Sequence, residues 1–508
     1  MKRSLLLEFL LFIFILSSTV MIQAADLTVE GLGKTNYYLY DDHLNSIGSA
    51  KTNDTIEVTA GAYIIKLNNC YKKILIQETE NNVIIKTGSI SVSGSGLTNY
   101  YVYRDERLSY IASKQTNDKV ELFPGNYIVK LNKIFKVAIV SEGQETHLKT
   151  GSLEVIGTGL HDYKVYDINM NESLVQEDTN DEVELFPGNY ILMLNKTTKN
   201  AKVEGDKKTI VKSGNITVTG TGETNYYVYY DSDSTNTIIN EIDNNERIGL
   251  PNAINALKIV SGMDGIPISL PSYIFFNNSD YLKSQTTNQQ VELFPGDYLL
   301  KMNKTFHTAN VKESQNTIIR SGTVSVSGNG STTFYVYDLY NNNLNSAVTN
   351  RKIELFPGEY TLKLNNIRQN TKVIGDQNTI VRSGTINVSG DGSSSYYVYD
   401  SNNIYLKSTN TNRQIELFPG NYYLKLLNTF QTATVTADQT LIVKTGFISI
   451  SANEGNYYIH DVLYYNSLTS SSANKSIYLF PGEYIVKYNN STQIVDVKKD
   501  QESLVTFY

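Results

Sequence analysis

The sequence predicts an all-β fold: a tandem array of seven small β-sandwich modules behind an N-terminal signal peptide, with one insertion in module four. Three observations predict it. The strings VELFPGNYIVKLN (120–132), VELFPGNYILMLN (183–195), VELFPGDYLLKMN (291–303), IELFPGEYTLKLN (353–365), IELFPGNYYLKLL (415–427) and IYLFPGEYIVKYN (477–489) are near copies, and IEVTAGAYIIKLN (56–68) is a degenerate seventh. Their glycines, Gly61, Gly125, Gly188, Gly296, Gly358, Gly420 and Gly482, are spaced by 64, 63, 108, 62, 62 and 62 residues. That is a period of about 62 with an insertion of about 45 in the fourth copy, the signature of duplicated structural units. The segments between the motifs alternate apolar and polar residues with period two and are rich in β-branched and aromatic types, which is strand patterning.

The chain opens MKRSLLLEFLLFIFILSSTVMIQA. Lys2 and Arg3, an apolar run from Leu5 to Ile22 and the small Ala24 predict a secretory signal peptide over 1–24. An uncleaved anchor is the alternative, since the run approaches the ~20 residues that span a bilayer. No later segment is long and apolar enough to cross as a helix, so the mature chain is expected to have no membrane span.

The modules are expected at 25–87 (with the degenerate motif), 88–150, 151–213, 214–321, 322–383, 384–445 and 446–508. Each module after the first opens on a glycine and an alternating segment such as GSISVSG, in which Ile90 and Val92 point to the core and Ser89, Ser91 and Ser93 to water. A tyrosine-rich run follows: YYLYD, YYVYR, YKVYD, YYVYY, FYVYD, YYVYD or YYIHD. The motif and two further alternating stretches complete about six strands per module.

The Pro–Gly pairs, Pro124–Gly125, Pro187–Gly188, Pro295–Gly296, Pro357–Gly358, Pro419–Gly420 and Pro481–Gly482, read as type II turns. Proline presets the second turn position and glycine accepts positive φ at the third. Because such a turn twists poorly with a tight hairpin, it is expected at a broader corner, between two sheets. Six of the nine prolines sit there and the other three lie in the insertion, so no regular strand loses a ladder donor. A sandwich of this size is marginal alone, so neighbouring modules are expected to support one another. A seven-bladed propeller is the rival architecture, but six strands exceed the four of a blade.

Composition limits the function. A formal charge of −7 does not suit nucleic-acid binding. One cysteine, Cys70, excludes an internal disulfide framework and Cys-based zinc clusters. His43, His147, His161, His307 and His460 occupy different phases of the repeat without paired spacing. The aspartates that end the tyrosine strands (Asp41, Asp167, Asp231, Asp338, Asp400, Asp461) could present carboxylates to a cation, but loop capping accounts for them more simply. Asp231–Ser–Asp233 starts like a calcium loop but lacks its glycine and glutamate. The G-x-G pairs run between strands, whereas a phosphate cradle precedes a helix. No catalytic, cofactor or metal residues are therefore assigned. The unique segment 233–277 is the candidate partner-binding insertion, with Ile254, Leu257, Ile268, Tyr273, Phe275 and Phe276 as its apolar contacts.

The opening strand, the YVYD-like strand and ELFPG[NDE]Y followed by alternation together resemble the PEGA-type module. They are also similar to the carboxypeptidase-regulatory-like and collagen-adhesin B-type sandwiches, which share a PG-x-Y-x-[LV] signature and a transthyretin-like fold. The resemblance covers residues 25–508 apart from the insertion; where PEGA modules often carry proline near the first strand, this chain reads G-x-G, as at Gly157–Thr158–Gly159. The resemblance implies a binding or spacer module of the cell envelope without catalysis of its own. B-type modules can carry a Lys–Asn isopeptide link, but Lys130 and Asn132 stand on one strand and cannot form it.

The expected function is an exported, non-enzymatic, multi-module surface or envelope protein: scaffold, spacer or adhesion element, secreted or extracellular, with an unidentified protein or glycan at the cell surface as partner. A carbohydrate-binding repeat protein, marked by exposed tyrosines in the same place on each module, is the alternative. A hydrolase with an inter-module site is a third reading.

Overall fold

The computed structural model describes residues 24–96, 98–104, 108–158, 161–231, 281–328, 332–452, 454–462 and 466–507. The segment expected as a signal peptide, apart from Ala24, and the insertion with Ile254, Leu257, Ile268, Tyr273, Phe275 and Phe276 lie outside them. The described residues form strands and turns, with no helix among them.

The first module sets the pattern. Its strands are β1 (Ala24–Glu30), β2 (Asn36–Asp41), β3 (Ser46–Lys51), β4 (Thr55–Thr59), β5 (Gly61–Leu67), β6 (Cys70–Ile76) and β7 (Asn82–Lys86). They build a three-stranded sheet, β4-β1-β7, and a four-stranded sheet, β3-β2-β5-β6. β1 pairs antiparallel with β4 and parallel with β7, while every pairing in the larger sheet is antiparallel. Leu27 and Val29 from one sheet and Tyr37, Leu39, Ile65 and Leu67 from the other are wholly buried, so the core lies between the sheets. The same pair of a three- and a four-stranded sheet occurs seven times among the described residues. The chain is all-β, built of tandem β-sandwich modules.

Seven strands per module replace the expected six. The additional one is the β3-type edge strand, SIGSAK in the first module and SYIASKQ (Ser109–Gln115) in the second. An edge strand has one neighbour and exposes most of its side chains, so its residues need not alternate. A register shift against the tyrosine strand interrupts what pattern there is. The opening strands differ from expectation too. In Gly88–Val92, Ser89 and Ser91 are buried. This is the middle strand of its sheet, and both serines are flanked by longer side chains: Glu121 and Glu145 beside Ser89, Lys119 and His147 beside Ser91. The strand's first residue, Gly88, admits no side chain, because a Cβ there would stand 2.2 Å from the Ser141 carbonyl oxygen.

The Pro–Gly pair does turn the chain from one sheet to the other. Lys119–Leu122 ends in the three-stranded sheet, and Gly125–Leu131 opens in the four-stranded one. It is not a type II turn, however: Gly125 and Gly482 take φ of 157°, near the extended region, and each is already the first residue of its strand. A tyrosine two residues on holds the corner. The Tyr127 hydroxyl donates to the Phe123 carbonyl at 2.6 Å, and Tyr190, Tyr360, Tyr422 and Tyr484 repeat the bond at 2.5–2.7 Å.

Tyrosine is also the standard core aromatic of the second strand. Tyr37, Tyr100, Tyr163, Tyr226, Tyr396 and Tyr457 are wholly buried. Each donates its hydroxyl to a backbone carbonyl beyond the edge strand, as Tyr396 does to Arg413 at 2.8 Å. This explains why a chain with 38 Tyr has only 17 Phe: one ring fills the core and its hydroxyl satisfies a loop carbonyl. Phe334 takes this place in the fifth module. Tyr396→Phe is therefore expected to be tolerated sterically and to cost about 1 kcal/mol, measured by denaturant unfolding. A neutral result would show that the Arg413 carbonyl finds water instead.

Two compact units are resolved: the chain up to Gly214 with Glu292–Phe294, and Asn215–Val291 with Pro295–Tyr508. Within each, successive modules share apolar cores. In the first, one cluster runs from Ala25 to Val140 and takes in Phe186.

Candidate functional site

The repeated motif does more than turn a corner. Its glutamate and phenylalanine both reach into the module before it. In the first unit the buried Glu121 carboxyl accepts from the Gly33 N–H (2.5 Å), the Thr35 N–H (3.2 Å) and the Thr52 hydroxyl (2.9 Å). Its backbone carbonyl accepts from Asn68 Nδ2 at 2.8 Å. Phe123, two residues on, packs in the joint core with Leu67 and Ile76. Asn68 can serve because it sits in the left-handed region, φ 53°, where the hairpin ends.

The second unit repeats the arrangement. Glu354 accepts from the Thr221 N–H (2.9 Å) and lies 2.5 Å from the Ser321 hydroxyl, while Asn303 Nδ2 bonds its carbonyl at 2.7 Å. Glu416 lies 2.6 Å from the Ser383 hydroxyl and 3.3 Å from that of Thr349, with Asn365 on its carbonyl at 2.8 Å. Phe418 belongs to the core of the fifth module and Phe480 to that of the sixth. In the seventh module Tyr478 replaces the glutamate and lies tilted against Phe447, ring centroids 5.2 Å apart.

The receiving side is the G-x-G loop. Its first glycine donates to a left-handed asparagine, as Gly94 does to Asn117 Oδ1 at 3.0 Å and Gly390 to Asn412 Oδ1 at 3.1 Å. The preceding threonine, Thr52, Thr116, Thr179, Thr287, Thr349 or Thr411, is at most 4% exposed. These Thr–Asn pairs were not singled out from the sequence, although KTND, QTND, DTND, TTNQ, VTNR and NTNR recur in phase. Exposed ion pairs also cross from each module to the next, tying Arg320 to Asp376 (2.9 Å), Arg382 to Asp438 (2.5 Å) and Lys444 to Asp500 (2.5 Å). Such pairs are each worth little in water.

The outer face of the four-stranded sheets carries a second periodic feature. In six modules a serine, a tyrosine and a lysine stand side by side on three adjacent strands: Ser113–Tyr101–Lys130, for example, and Ser346–Tyr335–Lys363. The tyrosines Tyr38, Tyr101, Tyr227, Tyr335, Tyr397 and Tyr458 are 38–45% exposed. The lysine ammonium lies over the next strand's ring in several modules, Lys130 over Phe135 at 5.6 Å and Lys425 over Phe430 at 5.7 Å. In the third module Gln176, Lys164 and Met193 take these places.

The remaining candidates are dispersed. Asp338 caps its loop by accepting from the Tyr340 and Asn342 N–H groups at 2.9 and 2.7 Å, and Asp41 and Asp400 do the same. His147 Nδ1 is 3.0 Å from the Ser91 hydroxyl, and His307 lies against Phe356, where burial pushes its pKa down. Asp41, Asp42 and His43 are the one group with metal-ligand spacing among the described residues, and it is largely exposed. Cys70 is buried, which pushes its thiol pKa up.

No protein-family model matches the chain, and no curated protein matches it. Solved structures do. The TIE protein of Bacillus anthracis matches with 12% identity over 71% of this chain and 68% of its own, with a TM-score of 0.12. A minor pilin of Streptococcus agalactiae matches with 12% identity over 25% of this chain and 93% of its own, TM-score 0.14. The major pilin subunit of Bacillus cereus matches with 9% identity over 37% and 97%, TM-score 0.11. At such scores the likeness assigns neither a family nor an activity; the sheets and joints described above stand on this chain's own geometry.

Proposed function

We propose that the chain is an exported, non-enzymatic surface or envelope protein, a scaffold, spacer or adhesion element of PEGA-like sandwich modules bounded as the repeat suggests. The observation that carries this reading is the joint. A motif whose buried glutamate and phenylalanine both engage the preceding module makes the successive modules within each compact unit act as a connected support. It leaves the outer sheet faces free for contact. The N-terminal charged-then-apolar segment supports export, and the unique segment 233–277, with Ile254, Leu257, Ile268, Tyr273, Phe275 and Phe276, is proposed to engage a partner at the cell surface.

Fractionation of the native cell tests the location. The mature chain is expected in the medium or envelope fraction and open to added protease on intact cells. Recovery in the cytosol, protected and with residues 1–24 retained, would overturn the proposal. Pull-downs from the cell surface with and without 233–277 test the insertion, and equal recovery of partners would remove its role.

A further inference from the structure

Two grooves in the second unit occupy equivalent places in the repeat. The first holds about 640 Å³ and is lined by Tyr227, Tyr229, Lys301 and Asn303 on one side and by Ser346 and Lys352 of the next module on the other. The second holds about 570 Å³ and is lined by Tyr335, Tyr337, Lys363 and Asn365, with Lys407 and Ser408 opposite. Each joins the exposed tyrosine–lysine row of one module to the wall that the next module raises at the joint. Both volumes are in the range of small-molecule sites.

From this geometry we infer that the grooves are repeated subsites for an acidic polysaccharide, one that presents a carboxylate on its sugar rings. The inference deepens the adhesion reading but is tested on the purified chain, so it does not depend on where the protein is found. Sugar rings combine an apolar C–H face with a rim of hydroxyls. A groove that takes them needs an exposed aromatic ring beside short polar donors and acceptors, and Tyr335 stands beside Lys363, Asn365 and Ser408. An apolar ligand would be poorly matched there, because Leu406 and Ile415 are outnumbered in the lining by tyrosine, asparagine, serine, threonine and lysine.

Charge selects an anion. The one acidic side chain on the second groove is Glu416, and its carboxyl is committed to Ser383 and Thr349 in the joint. That leaves Lys363 and Lys407 on the groove, with the Arg368 guanidinium 4.8 Å from the Tyr337 ring centroid. The first groove carries Lys301, Lys304 and Lys352 against Glu223, with Glu354 likewise held in its joint. These are basic grooves on a chain of net charge −7. Repetition at a fixed period suits a polymer, since a second subsite captured on one chain raises avidity without any new contact.

Titration calorimetry of the purified mature chain with polygalacturonate oligomers tests the inference, with dextran as the neutral sugar and polyglutamate as the anion without sugar. Polygalacturonate is expected to bind, more weakly as sodium chloride rises, and the other two at least tenfold less well. Tyr335→Ala with Lys363→Ala is expected to weaken binding at least tenfold at unchanged melting temperature. Tyr458→Ala with Lys487→Ala removes the same row outside both grooves, and is expected to leave binding unchanged. Absence of binding, equal binding of dextran or polyglutamate, equal loss in both double variants, or no loss in the first would each overturn the inference. A secreted protein that fails these tests would still be the proposed scaffold.

Discussion

Phe418→Ala is expected to cost about 3–5 kcal/mol, the usual range for truncating a buried phenylalanine, and to damage the fifth module at least as much as the sixth. The ring is 2% exposed and belongs to the core of Val324, Phe334, Leu355 and Leu362, although its backbone is part of the sixth module's motif. The cavity therefore opens in the module before the mutation. Coupled modules need not unfold in one step, so the readout must be local. Hydrogen exchange should quicken in Gly322–Ser327 and Thr333–Tyr337, and less in Gly384–Val388. A loss of protection confined to the sixth module would mean that the motif serves its own sandwich only, and the joint account would fall.

That outcome bears on what could be read from sequence and what could not. The repeat, its phase and its strand class were legible because duplication preserves spacing and a half-buried strand must alternate: Tyr100 and Val102 are buried and Tyr101 is exposed, as period two requires. The joint was not legible. Glu121 also obeys the alternation, lying on the face opposite Val120 and Leu122, and from sequence that face is solvent. It is 3% exposed because a neighbouring module covers it, and a pattern within one repeat cannot register what the next repeat supplies. The Pro–Gly corner misled for a related reason. Turn statistics describe four residues in isolation, whereas Gly125 is drawn out to an extended φ by its place in the ladder opposite Val140. Exposed edge strands such as Ser46–Lys51 bury too little to carry a pattern at all. The tyrosine rows were legible as residues but not as a surface, since the three strands that bring Ser346, Tyr335 and Lys363 together are separated in the chain.

The same tyrosines make stability fall in alkali. Burial pushes the phenols of Tyr190, Tyr422 and Tyr484 up to about 12, and burial raises those of Tyr100, Tyr163, Tyr226 and Tyr396 further. In the unfolded chain a phenol ionises near pH ~10. Below that pH both states keep the proton, and the native contribution is complete. As the pH rises from about 10 towards 12, the unfolded chain loses protons that the native chain retains, so each such tyrosine favours unfolding progressively. The folded state ionises only above its own raised value, by which point the contribution is gone. Denaturant midpoints are therefore expected to hold up to about pH 9.5 and to drop steeply by about pH 11, with unfolding releasing a burst of tyrosinate absorbance. Lysines lose charge over the same interval, so the control is Tyr422→Phe, which forfeits its bond to the Phe418 carbonyl at every pH but should flatten the alkaline slope. A slope unchanged by that substitution would assign the alkaline loss to the surface ion pairs, and the buried hydroxyls would not be its source.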